Sequence, residues 1–180
     1  MKRRIFYFLL NRRLNKKPPL SLQPKPWDEI KKIIVLIHKN TLTQEILNTV
    51  DDYFTKQGKE VYWIIMANNS IKNQWNKNVK LTSKPPIILT NKDCNWLGIP
   101  KSKAVKRLMV NPSDMLIFWN FTSHMHHRSF IWISYLANSH CKIGFNQIAS
   151  WSDMTINLPH EYTTIQVLNS LEKNYKQLFH

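Results

Sequence analysis

Glycine, cysteine and acidic side chains are all scarce in this chain of 180 residues, and each shortage closes off a class of chemistry. The three glycines, Gly58, Gly98 and Gly144, are too few and too scattered for a Gly-x-Gly-x-x-Gly turn or a Gly-rich phosphate loop. A dinucleotide-dependent oxidoreductase or a P-loop hydrolase is therefore not expected, and no cofactor is assigned. The two cysteines, Cys94 and Cys141, make neither a disulfide framework nor a zinc centre and read as unpaired thiols, at least partly buried. No apolar run approaches the ~20 residues of a membrane-spanning helix. The run Ile5–Leu10 is also too short for a secretory signal and lacks a small-residue cleavage site, so a cytoplasmic protein is expected.

The shortage of acids shapes the charge. Eleven Asp and Glu stand against 26 Lys and Arg, giving a formal net charge of +15 and a pI near 9.9. Such a balance calls for a polyanionic partner or an acidic membrane. Residues 1–32 carry ten basic and two acidic side chains, and so more than half of the excess. A second basic block spans 67–110, where Lys72, Lys77, Lys80, Lys84, Lys92, Lys101, Lys103, Lys106 and Arg107 face the single acid Asp93.

The apolar pattern is that of an α/β domain. Asp114–Asn146 holds a continuous apolar strand, Met115–Trp119, then a turn, a helix over Phe130–Ala137 and a strand over Cys141–Phe145. Ile33–Ile37 and Val61–Met66 read as further buried strands, Pro86–Leu89 as a short one and Met154–Leu158 as the last. Thr41 or Thr43 would cap a helix carrying Ile46, Leu47, Val50 and Phe54, which Gly58 would end. A short helix over Ser102–Leu108 and a final one from Tyr162 to about Leu178 follow, and Val79–Leu81 is a candidate edge element. The expected fold is a three-layer α/β/α sandwich around a mainly parallel sheet of five to six strands, Rossmann-like or flavodoxin-like. It would occupy 27–180, after a basic extension and Pro-rich linker over 1–26.

Residues 1–20 combine Lys2, Arg3, Arg4, Arg12, Arg13, Lys16 and Lys17 with the Ile5–Leu10 run, ahead of Pro18 and Pro19. Three readings stay open: a basic helix docked on RNA, a helix lying on an anionic membrane, or a helix packed on its own domain with cations in water. In an open α/β sheet a small-molecule site lies beyond the carboxyl ends of the strands. The polar residues expected there are His38, Asn40, Asn68, Asn120, Thr122, His124, His126 and His127, with Thr90. The histidine cluster has few acids or cysteines to complete a metal tetrahedron, so a solvated loop is favoured, RNA or ligand contact comes second and a metal site last. Asp114 and Asp153, each just before a strand, read as caps or turn formers, and Ser123 lacks the elbow glycines of a hydrolase nucleophile. No catalytic pair emerges.

Two resemblances follow from particular motifs. The stretches KDCNWLGIPKSKAV, NPSDMLIFWNFT, YLANSHCKIGFN and SDMTINL resemble an uncharacterised single-domain α/β family of Bacteroidota over roughly residues 28–178. Lys92, Asp93, Trp96 and Gly98 fit its first motif, Asp114, Leu116 and Ile117 its second, and Lys142 and Gly144 its third, while His140 and Ser152 depart from its usual residues. That resemblance implies the fold and no activity. DMLIFWN followed by a helix and CKIGFN is also similar to the first domain of heptosyltransferase-like glycosyltransferases, with Asn120 near a polar strand-end position. Their sugar-nucleotide donor binds in a second domain, for which no counterpart is expected among these 180 residues.

The leading expectation is a non-enzymatic RNA-binding protein, with ribosomal RNA and ribosomal proteins as candidate partners. Lys2, Arg3, Arg4, Arg12, Arg13, Lys16, Lys17, Lys72, Lys77, Lys80, Lys84, Lys103, Lys106 and Arg107 would contact RNA, and Trp75 and Trp96 would offer stacking surfaces. A small glycosyltransferase-like or phosphosugar-binding domain and a peripheral membrane adaptor are the alternatives.

Overall fold

The computed structural model describes residues 2–16, 22–67, 84–101, 103–119, 128–146 and 152–179. Six strands form one sheet: β1 Lys32–His38, β2 Glu60–Met66, β3 Ile87–Leu89, β4 Ser113–Trp119, β5 Ser139–Phe145 and β6 Met154–Ile156. Their order is β3-β2-β1-β4-β5-β6 and every pairing is parallel. This is the Rossmann-like order, in which the chain builds outward from β1 in one direction and then, from β4, in the other. The sandwich and its parallel sheet are as the apolar runs predict.

The helices are α1 Lys2–Lys16, α2 Gln44–Thr55, α3 Lys103–Val110, α4 Arg128–Leu136 and α5 Thr164–Lys176. Pleating sends alternate residues to opposite faces. Val35, Ile37, Trp63, Ile117 and Ile143 pack with Leu47, Val50 and Phe54 of α2 and Val167, Leu168 and Leu171 of α5. Ile34, Leu36, Ile64, Leu116 and Phe118 pack on the other face with Val105 of α3, Phe130 and Ile133 of α4 and Ala137 just after it. The first face is called here the α2/α5 face and the second the α3/α4 face. Thr43 caps α2 by accepting from the Ile46 N–H, and Gly58, at φ 69°, turns the chain out of it.

Helix α1 adds a further layer. Phe6 and Leu10 are fully buried against Leu97, with Ile99 and, on α4, Ile131, Trp132, Tyr135 and Leu136 packed around them. Helix α4 is apolar on nearly its whole circumference because the sheet covers one side of it and α1 the other. The packed-helix reading of the tail is thus the arrangement the chain adopts. Residues 23–25, expected in a linker, are strapped to the domain: the Tyr175 hydroxyl donates to the Lys25 carbonyl at 2.8 Å and His140 Nδ1 to the Gln23 carbonyl at 2.6 Å.

Asp114 lies inside β4 and not before it. Its carboxylate accepts the backbone N–H groups of Lys31 and Lys32, both at 2.8 Å, and pairs with Lys25 Nζ at 2.5 Å. Burial alone would raise this carboxyl; the ammonium and the two N–H groups outweigh it and hold it below the usual carboxylate range. Asp153, before β6, accepts the Lys142 N–H at 2.7 Å, so both acids tie chain segments together. The last strand ends at Ile156, two residues earlier than expected. The candidate element at Val79–Leu81 lies outside the described residues.

Candidate nucleic-acid interface

The structure brings α1 and much of the second basic block to the same side of the sheet. α1 rests on α4 and on the 95–99 loop, and α3 packs on the same sheet face as α4. Phe6 and Leu10 point inward, which leaves Arg4, Phe8 and Arg12, spaced four apart, on the opposite stripe of α1. Lys2, Arg3, Arg4, Arg12 and Arg13 are all exposed, and Phe8 is 65% exposed among them. The Arg3 guanidinium sits over the Tyr7 ring, 5.9 Å from its centroid. Lys92, Lys101, Lys103 and Lys106 are exposed on the 91–106 segment. Lys16 and Arg107 fall in α1 and α3; Lys17, Lys72, Lys77 and Lys80 lie outside the described residues, as does Trp75.

The cations at the start of α1 work against the helix. A helix N-terminus carries partial positive charge, which acids relieve and lysines aggravate by a few tenths of a kcal/mol to about 1 kcal/mol each. α1 begins Lys2-Arg3-Arg4 with no acid in its first turn. The field there is additive, from side chains and peptide dipoles alike, and suits an approaching anion.

Carboxylates do not neutralise this side. Between Glu60 and Asp153 the chain has two acids, Asp93 and Asp114, and both are engaged in the fold. Asp93 closes a capping box with Thr90, accepting from its N–H at 2.9 Å and its hydroxyl at 2.7 Å. Glu45, Asp51 and Asp52 lie on α2 and Glu172 on α5, across the sheet. There Glu172 accepts from the Tyr53 hydroxyl and pairs with Lys176 at 2.7 Å. Lys84 is exposed but paired, bonding Glu60 at 2.8 Å and the Tyr62 hydroxyl at 2.7 Å at the β2 edge.

The 91–101 loop is stiff. Cys94 and Pro100 form an isolated antiparallel bridge, and the Lys101 N–H reaches the Asp93 carbonyl at 2.8 Å. Asn95 Oδ1 accepts from Leu97 N at 3.0 Å and Ile99 N at 2.9 Å. Gly98 stands at φ 85°, where its absent Cβ would lie 3.0 Å from Arg128 Cβ, and its carbonyl accepts from the Ser129 hydroxyl at 2.5 Å. Trp96, at the tip, is nevertheless 63% exposed. Phe8 and Arg128 carry no motif of their own. Their signals were the four-residue spacing of Phe8 from two arginines and the position of Arg128 at the head of an apolar helix.

The expected ligand edge is only partly described. His38 ends β1 half-buried, and its Nδ1 accepts from the Asn40 N–H at 3.2 Å, so the neutral ring carries its proton on Nε2. Burial lowers its pKa from the ordinary histidine value. Asn40 is exposed, and Asn68, Asn120, Thr122, His124, His126 and His127 lie outside the described residues. Among the described residues no cluster of three or more His, Cys, Asp or Glu side chains could hold a metal ion, and no helix is long and apolar enough to cross a membrane.

The model of one protein family, described as a family of unknown function (DUF6913), matches residues 2–177. The chain belongs to that family. The match begins at residue 2, so the DUF6913 span takes in α1 and its cations along with the sheet. No curated protein and no solved structure matches the chain.

Proposed function

We propose that this DUF6913 chain is a non-enzymatic RNA-binding protein that lays α1 and the 91–110 segment against the phosphate backbone. The observation that carries the reading is the sign of that side: exposed Lys and Arg on two segments held together by Leu97 and α4, with both nearby acids already bonded within the fold. Phosphate neutralisation by such a surface supplies sequence-independent affinity that falls steeply with salt. With roughly five phosphates engaged, log K against log salt would slope at about −3.5 on a single strand. The resemblance to Bacteroidota proteins makes a bacterial ribosome, with its RNA and proteins, the first place to look.

Intact protein should co-sediment with ribosomes or bulk RNA at low salt and be released as salt rises. Failure to bind mixed-sequence RNA better than an uncharged control protein does would end the proposal. Tighter binding to anionic vesicles than to RNA would instead favour the membrane adaptor, to which exposed Phe8 also lends support.

A second reading rests on His38. It lies at the end of β1 beside β4, where the helices that follow these two strands pack on opposite faces of the sheet, the point at which open α/β sheets bind small ligands, and the likeness to heptosyltransferase-like glycosyltransferases covers β4 and β5. A thermal-shift panel of sugar nucleotides and phosphosugars tests it. No shift at millimolar ligand would remove it.

A further inference from the structure

We infer that the cleft beside Trp96 seats one unpaired base of single-stranded RNA, with Arg128 on the adjoining phosphate. The inference deepens the RNA-binding reading and rests on it. The cleft has a volume of about 440 Å³ and is lined by Asn91, Asn95, Trp96, Leu97, Gly98 and Arg128. The cleft is broadly open to solvent, so a partner would rest against the exposed indole rather than be enclosed.

Every neighbour of Trp96 has a task in the fold. Asp93 caps Thr90, Cys94 lies 3.2 Å from the Ser129 hydroxyl, and Asn95 pins the backbone N–H groups of Leu97 and Ile99. Leu97 is buried under α1, and Gly98 provides the positive φ and the room for Arg128. Of these loop residues only Trp96 puts a large ring into solvent, where the exposed part of its apolar area adds nothing to stability. The loop that carries it is already ordered, so little entropy remains to be lost when a planar partner stacks on the indole.

The surrounding charge selects the partner. A Trp face also attracts cations, but Arg128, which lines the same cleft, and the exposed Lys92 and Lys101 of the same loop would repel an ammonium or guanidinium. They favour a partner that joins a flat π-system to an anion, which is a nucleotide. A duplex hides its base faces in the stack, so Trp96 would act only on single-stranded segments, whereas the α1 cations would bind either form.

The test measures binding of a labelled mixed-sequence RNA oligonucleotide, single-stranded or annealed to its complement, to full-length wild-type protein, Trp96→Ala and Trp96→Phe. Trp96→Ala should weaken single-strand binding by roughly tenfold or more and duplex binding by less than about twofold, with Trp96→Phe retaining most of the single-strand affinity. The exposure of Trp96 means that both variants should melt like the wild type. Arg128→Gln should lower the salt slope by about 0.7 on the single strand. If wild type binds both RNAs and Trp96→Ala matches it on the single strand, the cleft is not a base seat while the RNA reading stands. If wild type binds neither RNA, both are wrong.

Discussion

Replacing Asp114 by alanine should loosen the junction on which the sheet is built. The carboxylate joins β4 to the backbone entering β1 across 82 and 83 residues of sequence, and to Lys25 across 89. Its removal strands two partly buried N–H donors, each costing about 1–3 kcal/mol. The Lys25 pair adds up to ~1 kcal/mol, because the ammonium regains solvent once released. Together these give a loss of about 4 kcal/mol, a large share of the ~5–15 kcal/mol of an ordinary domain. At 2–4 °C per kcal/mol for a chain of this size, the midpoint of thermal unfolding should fall by about 10 °C. Asp114→Asn keeps an acceptor and should lose about half as much. The effect should also depend on pH. The folded-state pKa lies below the ordinary carboxylate value of 3.8, so the stabilisation is fully present above that value and is lost as pH falls through the lowered folded pKa. Urea titration of wild type and Asp114→Ala from neutral to acidic pH should show the gap closing at the acid end. A neutral-pH loss below about 1 kcal/mol would mean that water replaces the carboxylate and that this junction does not hold β1 to β4.

Three further outcomes test the packing. Gly98→Ala should destabilise more than Gly58→Ala in denaturant titrations: both sit at positive φ, costing about 1–2 kcal/mol, but only the Gly98 Cβ meets another atom, Arg128 Cβ at 3.0 Å. Equal losses would argue against the close approach of α4 to the loop. Cys141 is buried and its thiol is pushed up to about 12 by burial first and Asp153 second, and burial also raises Cys94, so alkylating reagents should modify neither until the protein unfolds. Rapid labelling of the native protein would contradict that placement. Phe6→Ala should undock α1, seen as faster proteolysis within residues 2–16 while the main unfolding transition stays cooperative. Unchanged cleavage would show that Phe6 does not hold the helix.

What the sequence conveyed well was the sheet. Ile33–Ile37 and Met115–Trp119 are continuous apolar runs because both of their faces are covered, Cys141–Phe145 is a shorter strand interrupted by Lys142, and the caps at Thr43 and Gly58 are local signals. The docking of α1 was harder to see. Its apolar residues are interleaved with cations, so periodicity alone left RNA, a membrane and the protein itself as partners. The deciding clue was on another element: α4 is apolar on more of its circumference than one sheet face can cover, with Phe130 and Ile133 turned to the sheet and Ile131, Trp132 and Tyr135 left for α1. The role of Asp114 depends on partners more than 80 residues away, which no local pattern encodes. The one-sided charge is likewise a product of the fold, since α1 and the 91–110 segment are brought together by Leu97, Ile99 and α4.

Ultraviolet crosslinking of the protein to RNA in cells that express it, followed by mapping of the modified peptides, addresses that charged side most directly. Adducts are expected within residues 2–16 and 91–110, with Trp96 and Phe8 as crosslinked aromatics, and none on α2 or α5. Recovery of the protein free of RNA, or adducts confined to the α2/α5 face, would contradict the proposed interface.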